Sequence, residues 1–136
     1  MDQSVAIQES LEEGATCRTA VQGVLTAGDS VESRLLGLVE TCGEHAIYVY
    51  THRRMAIAAE DVCLERVIPI TEDFVVEEVV LDDDLPVIGA DVTVRLGSEA
   101  DQLTVRLPFG SQTRTFLREV VRSIPVLKLN YLIKKW

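Results

Sequence analysis

Apolar residues recur at two different spacings along the chain. Near the start, Val5, Ile7 and Leu11 stand among Gln8, Glu9, Glu12 and Glu13, and Ser10-x-x-Glu13 has the spacing of a capping box. Beyond Gly14, the residues Cys17, Ala20, Val21 and Val24 keep to helical spacing, which predicts an N-terminal helical arm over residues 1–25. Leu25-Thr26-Ala27-Gly28-Asp29 reads as a turn. After Gly28 the period falls to two, the signature of strands with one face buried. Val31–Glu40 is the first predicted strand, turned by Cys42-Gly43-Glu44, and Ala46-Ile47-Tyr48-Val49-Tyr50 is the second. Thr51-His52-Arg53 reads as a turn into a third strand carrying Met55, Ile57 and Ala59.

A fourth strand holds Val62, Leu64, Ile68 and Ile70, with Pro69 near its end, and a fifth runs from Phe74 to Leu81. Asp82-Asp83-Asp84-Leu85-Pro86 breaks the pattern. Two clean alternations follow: Val92, Val94 and Leu96 on one, Leu103, Val105 and Leu107 on the other, joined as a hairpin over Gly97–Asp101. Helical spacing then returns. Phe116, Leu117, Val120, Val121 and Ile124 form one apolar stripe, with Ser111 as the expected N-cap and Pro125 as the stop. Arg114, Arg118 and Arg122 run four apart along the outer side.

Seven strands closed by one C-terminal helix resemble the plan of bacterial and archaeal pleckstrin-homology-like (PH-like) domains. The local motifs carry the same resemblance. Leu25-Thr26-Ala27-Gly28-Asp29 resembles the lead-in to their first strand, Thr51-His52-Arg53-Arg54 followed by Met55 and Ile57 resembles a turn between strands two and three, and Phe116-Leu117 lies in an aromatic-containing last helix. The resemblance covers about residues 25–124. It implies a mainly β fold, a partly open seven-stranded barrel capped by a helix. It also implies binding of phosphoinositides, peptides, proteins or further copies, because the fold hosts all of these. Lipid-binding members set several Lys and Arg in the first hairpin. This chain has Arg34 in the first predicted strand, and its turn, Cys42-Gly43-Glu44-His45, lacks a basic cradle. The expected organisation is a helical arm (1–25), a PH-like barrel with its capping helix (26–125) and a basic amphipathic tail (126–136).

The length of 136 residues suits one domain, and 47% apolar with 26% charged residues excludes wholesale disorder. No apolar run reaches the length of a spanning helix, and the first cation is Arg18, so neither a membrane span nor a secretory leader is expected. Three cysteines make an odd, sparse set, which points to a reducing, cytoplasmic compartment, with peripheral membrane association as a variant. Net charge of −9 argues against nucleic acid as a partner. That charge is divided. Residues 1–105 carry 21 acids and 6 bases, whereas residues 106–136 carry Glu119 and seven bases. Such asymmetry suits a basic end that packs on the acidic body of its own or a neighbouring chain, the alternative being a surface that meets something else anionic.

Candidate chemistry is sparse. Cys42, His45, His52 and Cys63 are the one metal-like set. His45 and His52 stand at opposite ends of the second predicted strand, so no metal and no cofactor are expected. His52, Arg53 and Arg54 form a candidate anion or lipid site, the alternative being that the arginines pair with acids such as Glu60. No phosphate-binding glycine motif and no nucleophile–base–acid set is present, so a non-catalytic role is expected. A hydrolase using Cys42 or Cys63 is a remote alternative. The tail sets Leu129, Leu132, Ile133 and Trp136 at helical spacing with Lys128, Lys134 and Lys135 off the stripe. Together with Arg114, Arg118 and Arg122 it is the expected surface for a protein partner or for self-docking, on another copy (a homo-oligomer) or on its own barrel, with Glu77, Glu78 and Asp82–Asp84 as the counter-surface in the self-docking case. An anionic membrane is the alternative.

Overall fold

The computed structural model describes residues 3–27, 30–54, 60–78, 91–108 and 110–125. Seven antiparallel strands follow a short helix and precede a longer one: α1 (Gln3–Ser10), β1 (Ala15–Ala27), β2 (Ser30–Thr41), β3 (Glu44–Arg54), β4 (Glu60–Pro69), β5 (Val75–Glu78), β6 (Asp91–Gly97), β7 (Gln102–Pro108) and α2 (Ser111–Arg122). The strands form one bent sheet in the order β4-β3-β2-β1-β7-β6-β5. The fold is thus mainly β, the partly open barrel with a C-terminal cap expected from the sequence.

The cap works as the apolar stripe requires. Phe116, Leu117, Val120, Val121 and Ile124 are buried in the same cluster as Leu36, Ile47, Val94 and Val105. The helix begins one residue after Gly110, so Ser111 is its first helical residue rather than its N-cap. Thr113 secures that end by donating its hydroxyl to the Pro108 carbonyl, and Gln112 donates to the Ala20 carbonyl at 3.1 Å. The Ser123 N–H closes the other end on the Glu119 and Val120 carbonyls, before Pro125.

The N-terminal arm departs from expectation. Among its described residues only Gln3–Ser10 is helical. Residues 15–25 belong to β1, so the barrel begins at Ala15. Ser10 ends α1 instead of capping a helix, its hydroxyl donating to the Ile7 carbonyl at 2.7 Å. Gly14, at φ 94°, turns the chain into the strand. The helical spacing of Cys17, Ala20, Val21 and Val24 has two sources. A bulge shifts the register between Cys17 and Thr19, and the strand buries both of its faces.

Further boundaries also move. Thr51-His52-Arg53 is not a turn but the end of β3, in register with Cys63, Val62 and Asp61 of β4. The predicted third strand at Met55–Ala59 lies outside the described residues, as does the end of the predicted fifth strand beyond Glu78. The count of seven strands matches the expectation, with β1 standing where helical spacing predicts the arm. The motif at residues 25–29 joins β1 to β2, so the first hairpin is β1–β2, and Cys42-Gly43 turns the second.

Close approach at two glycines shapes the sheet. A Cβ on Gly23 would come within 2.5 Å of Val105 Cγ2 and 2.9 Å of Leu107 Cδ2, where β1 meets β7 and the sheet curls over its core. A Cβ on Gly37 would lie 2.9 Å from Ile7 Cδ1, so its absence lets α1 settle on the outside of β2. Across the open side, Arg66 of β4 reaches the β6–β7 turn, donating to the Asp101 carboxylate and to the Gln102 carbonyl at 2.9 Å.

Candidate functional site

Strand alternation sorts β2 into two faces. Leu36 and Leu38 point into the barrel, and Leu35, Gly37 and Val39 point outward under α1. Glu32 and Arg34 continue the inward row toward the β1–β2 loop. Arg34 lies in register with Thr51, and Thr51 with Cys63, so these positions line one rim of the barrel mouth. A bulge in β4 between the partners of Val49 and Tyr50 sets Glu65 into the same rim.

Among the described residues this rim holds one well-placed cation, and it is already engaged. Arg34, with only 12% of its side chain exposed, donates Nε to Glu65 Oε2 at 2.6 Å and Nη2 to Glu32. Hydrogen bonding to Glu65 raises the guanidinium pKa above its ordinary value, opposed by burial and helped by Glu32. Two carboxylates thus occupy the donors that an anionic ligand would need. The same interactions hold β2 to β4 across β3.

The other sequence candidates are dispersed. His52, Arg53 and Arg54 end β3, and the register sets Asp61 opposite Arg53 and Glu60 opposite Arg54. The side chains at these positions lie outside the described ones. Arg114, Arg118 and Arg122 are exposed on α2, Arg122 lying 3.5 Å from Glu119. Leu129, Leu132, Ile133 and Trp136, with the rest of the tail, lie outside the described residues, as do Asp82–Asp84 of the expected counter-surface. Glu77 and Glu78 are exposed on β5, and Glu77 accepts from Arg95. His45 stands 3.8 Å from Glu40, at the far end of β3 from His52. Among the described residues no three His, Cys, Asp or Glu side chains gather as metal ligands.

Sequence reasoning missed a second feature, on the outside of the sheet. Ile7 is fully buried among Ala20, Leu35, Val39 and Tyr50. The Gln8 side chain fastens α1 to β1, accepting from Cys17 N at 2.8 Å and donating to the Ala15 carbonyl at 3.0 Å. The Ser10 and Tyr50 hydroxyls share a hydrogen bond of 3.3 Å. Where α1 stops, a groove of about 470 Å³ remains, lined by Leu11, Glu12, Glu13, Tyr48, Val62 and Leu64 among others. The available signal was the run Leu35-Leu36-Gly37-Leu38-Val39. Such a run in a strand means burial on both faces, and hence a covering element outside the barrel.

A bent seven-stranded sheet, an α2 plug and a rim built from the first hairpin and its neighbours define a PH domain. The chain belongs to the family of type II inositol 1,4,5-trisphosphate 5-phosphatase PH domains, whose model matches residues 1–135. It is 55% identical over 130 residues to the type II inositol 1,4,5-trisphosphate 5-phosphatase of Mus musculus, covering 92% of this chain and 13% of that protein. A solved structure is also similar: a PH domain within OCRL that bridges clathrin mediated membrane trafficking to phosphoinositide metabolism. It is 55% identical, with a TM-score of 0.72, covering 90% of this chain and 80% of that one. The matching family is one of inositol phosphatase PH domains, not the bacterial and archaeal domains that the short motifs resemble. The matched region is a PH domain, a non-catalytic module. No helix among the described residues is long and apolar enough to cross a membrane.

Proposed function

We propose that this PH domain acts as a protein-contact module at the interface of membrane traffic and inositol-lipid chemistry, rather than by gripping anionic headgroups. The observation that carries this reading is the capture of Arg34 by Glu32 and Glu65. An anionic headgroup binds where several cations converge with free donors. At this rim two carboxylates precede it and would have to be displaced. The OCRL relative, which links clathrin-mediated traffic to phosphoinositide metabolism, lends support as a protein of similar sequence and fold. The exposed stripe of Arg114, Arg118 and Arg122, continued by the basic tail with Leu129, Leu132, Ile133 and Trp136, is the proposed contact for an acidic protein surface or a second copy.

Flotation with vesicles containing a phosphorylated inositol lipid tests the reading. The expected outcome is no enrichment of the native chain. Salt-sensitive flotation of the native chain, lost in Arg53→Ala/Arg54→Ala, would replace the proposal with headgroup binding at the end of β3. Native mass spectrometry reads the self-contact arm. A mass above the 15.1 kDa of one chain, reverting with Arg114→Glu/Arg118→Glu, supports it.

A further inference from the structure

The groove beside α1 has a one-sided character. Its apolar wall comes from Leu11, Tyr48, Val62 and Leu64, and its charged rim comes from Glu12 and Glu13; no Lys or Arg lines it among the described residues. Leu64 is 47% exposed although its register partner Tyr50 is only 2% exposed on the same outer face. Val67 extends the apolar strip along β4 and is 38% exposed. β4 is the terminal strand of the sheet, so this strip borders a free edge among the described residues. Over Ala20, Leu35, Val39 and Tyr50 α1 covers the outer face, and Ile7 is wholly buried there. Coverage ends at Ser10, which leaves the β4 end of the same surface open.

We infer that this groove is a docking site for a basic, apolar peptide segment of a partner protein, with large side chains seated against Leu11, Tyr48, Val62 and Leu64 and Lys or Arg facing Glu12 and Glu13. Charge complementarity chooses the occupant. An acidic segment would meet Glu12 and Glu13 with no compensating cation, and a purely apolar one would leave them without a partner. The groove's volume suits a few large side chains rather than a whole domain face. It is a second surface, apart from the α2 stripe, and of opposite charge. The inference rests on the reading as a protein-contact module, and vesicle flotation tests that reading independently of peptide binding.

A short alternating leucine–lysine peptide is the probe, with alternating leucine–glutamate as control, titrated into the full chain and followed by amide NMR. The leucine–lysine peptide is expected to shift Leu11, Glu12, Tyr48 and Val62 to Leu64, and the control to shift none of them. Leu64→Glu is expected to weaken binding about tenfold or more. It adds negative charge, so general attraction of a cationic peptide to an acidic protein predicts the opposite. Because Leu64 is half-exposed, the thermal melt of the free variant is expected to match the native chain. Glu12→Lys/Glu13→Lys weakens binding in a salt-dependent way. Equal binding of the control, shifts confined to other surfaces, or indifference to Leu64→Glu overturns the proposal. It is also overturned if the peptide binds only after deletion of residues 126–136, which would make the chain's own tail the occupant. A dimer dissolved by Leu64→Glu would make a second copy the occupant, with the same consequence.

Discussion

β2 and β7 are strands of one sheet with opposite burial patterns. In β7 exposed and buried residues alternate without exception from Gln102 to Pro108. In β2 five consecutive residues, Leu35 to Val39, are buried. The inner faces of both meet the same core. The difference lies outside. Over β1, β2 and β3 the helix α1 covers the sheet and builds a second, smaller cluster around Ile7, whereas the outward residues of β7 are exposed. A strand's sequence pattern therefore reports what lies on both of its faces, not its conformation alone.

The largest expected effect tests that asymmetry directly. Leu35→Ala and Leu36→Ala remove neighbouring side chains that enter different clusters, and each is expected to cost about 2–5 kcal/mol in urea unfolding. In β7 only the inward residue should behave so: Leu103→Ala is costly, while Thr104→Ala changes stability by less than about 0.5 kcal/mol. A Leu35→Ala variant as stable as the native chain would show that the outer cluster is not a core.

A finer test concerns the seat of α1. Gly37→Ala forces a methyl toward Ile7 Cδ1 and is expected to cost about 1–3 kcal/mol. Ile7→Val shortens the obstructing side chain and should recover part of that loss. A double-mutant cycle that returns simple additivity would disconnect the two residues and locate α1 elsewhere.

The smallest effect belongs to Tyr50, which links α1 to β3. Burial holds its phenol pKa above the ordinary value, with the hydrogen bond to Ser10 opposing. A folded-state pKa above the unfolded one means that the folded protein holds the proton longer. The associated stability is present below about pH 10 and is lost as pH rises through the folded value. Tyr50→Phe is expected to cost about 1 kcal/mol near neutrality and to flatten the decline in urea midpoint above about pH 10. An alkaline decline identical in both proteins would assign it to other groups.

Much of this architecture is legible in the sequence, for a local reason. β6, β7 and α2 each meet the core along one face, and period two in Val92–Leu107 and the stripe from Phe116 to Ile124 follow from that single boundary between core and water. β1 was illegible for the opposite reason: its two buried faces and the bulge at Cys17–Thr19 break the period of two, and local spacing then imitates a helix. The site shows the same division. The cations were readable as residue types, and the lack of a basic cradle was visible, but in the wrong hairpin.

Chain chemistry by itself determined a mainly β domain, its capping helix, its divided charge and the absence of a recognisable catalytic motif. Tertiary structure alone decided that Arg34 is shared by Glu32 and Glu65, that Asp61 and Glu60 stand opposite Arg53 and Arg54, and that Gly37 admits Ile7. Each depends on strand register or on close approach between segments far apart in sequence. A side chain's neighbours along the chain fix its period, but its partners across the sheet fix whether its charge is free to act.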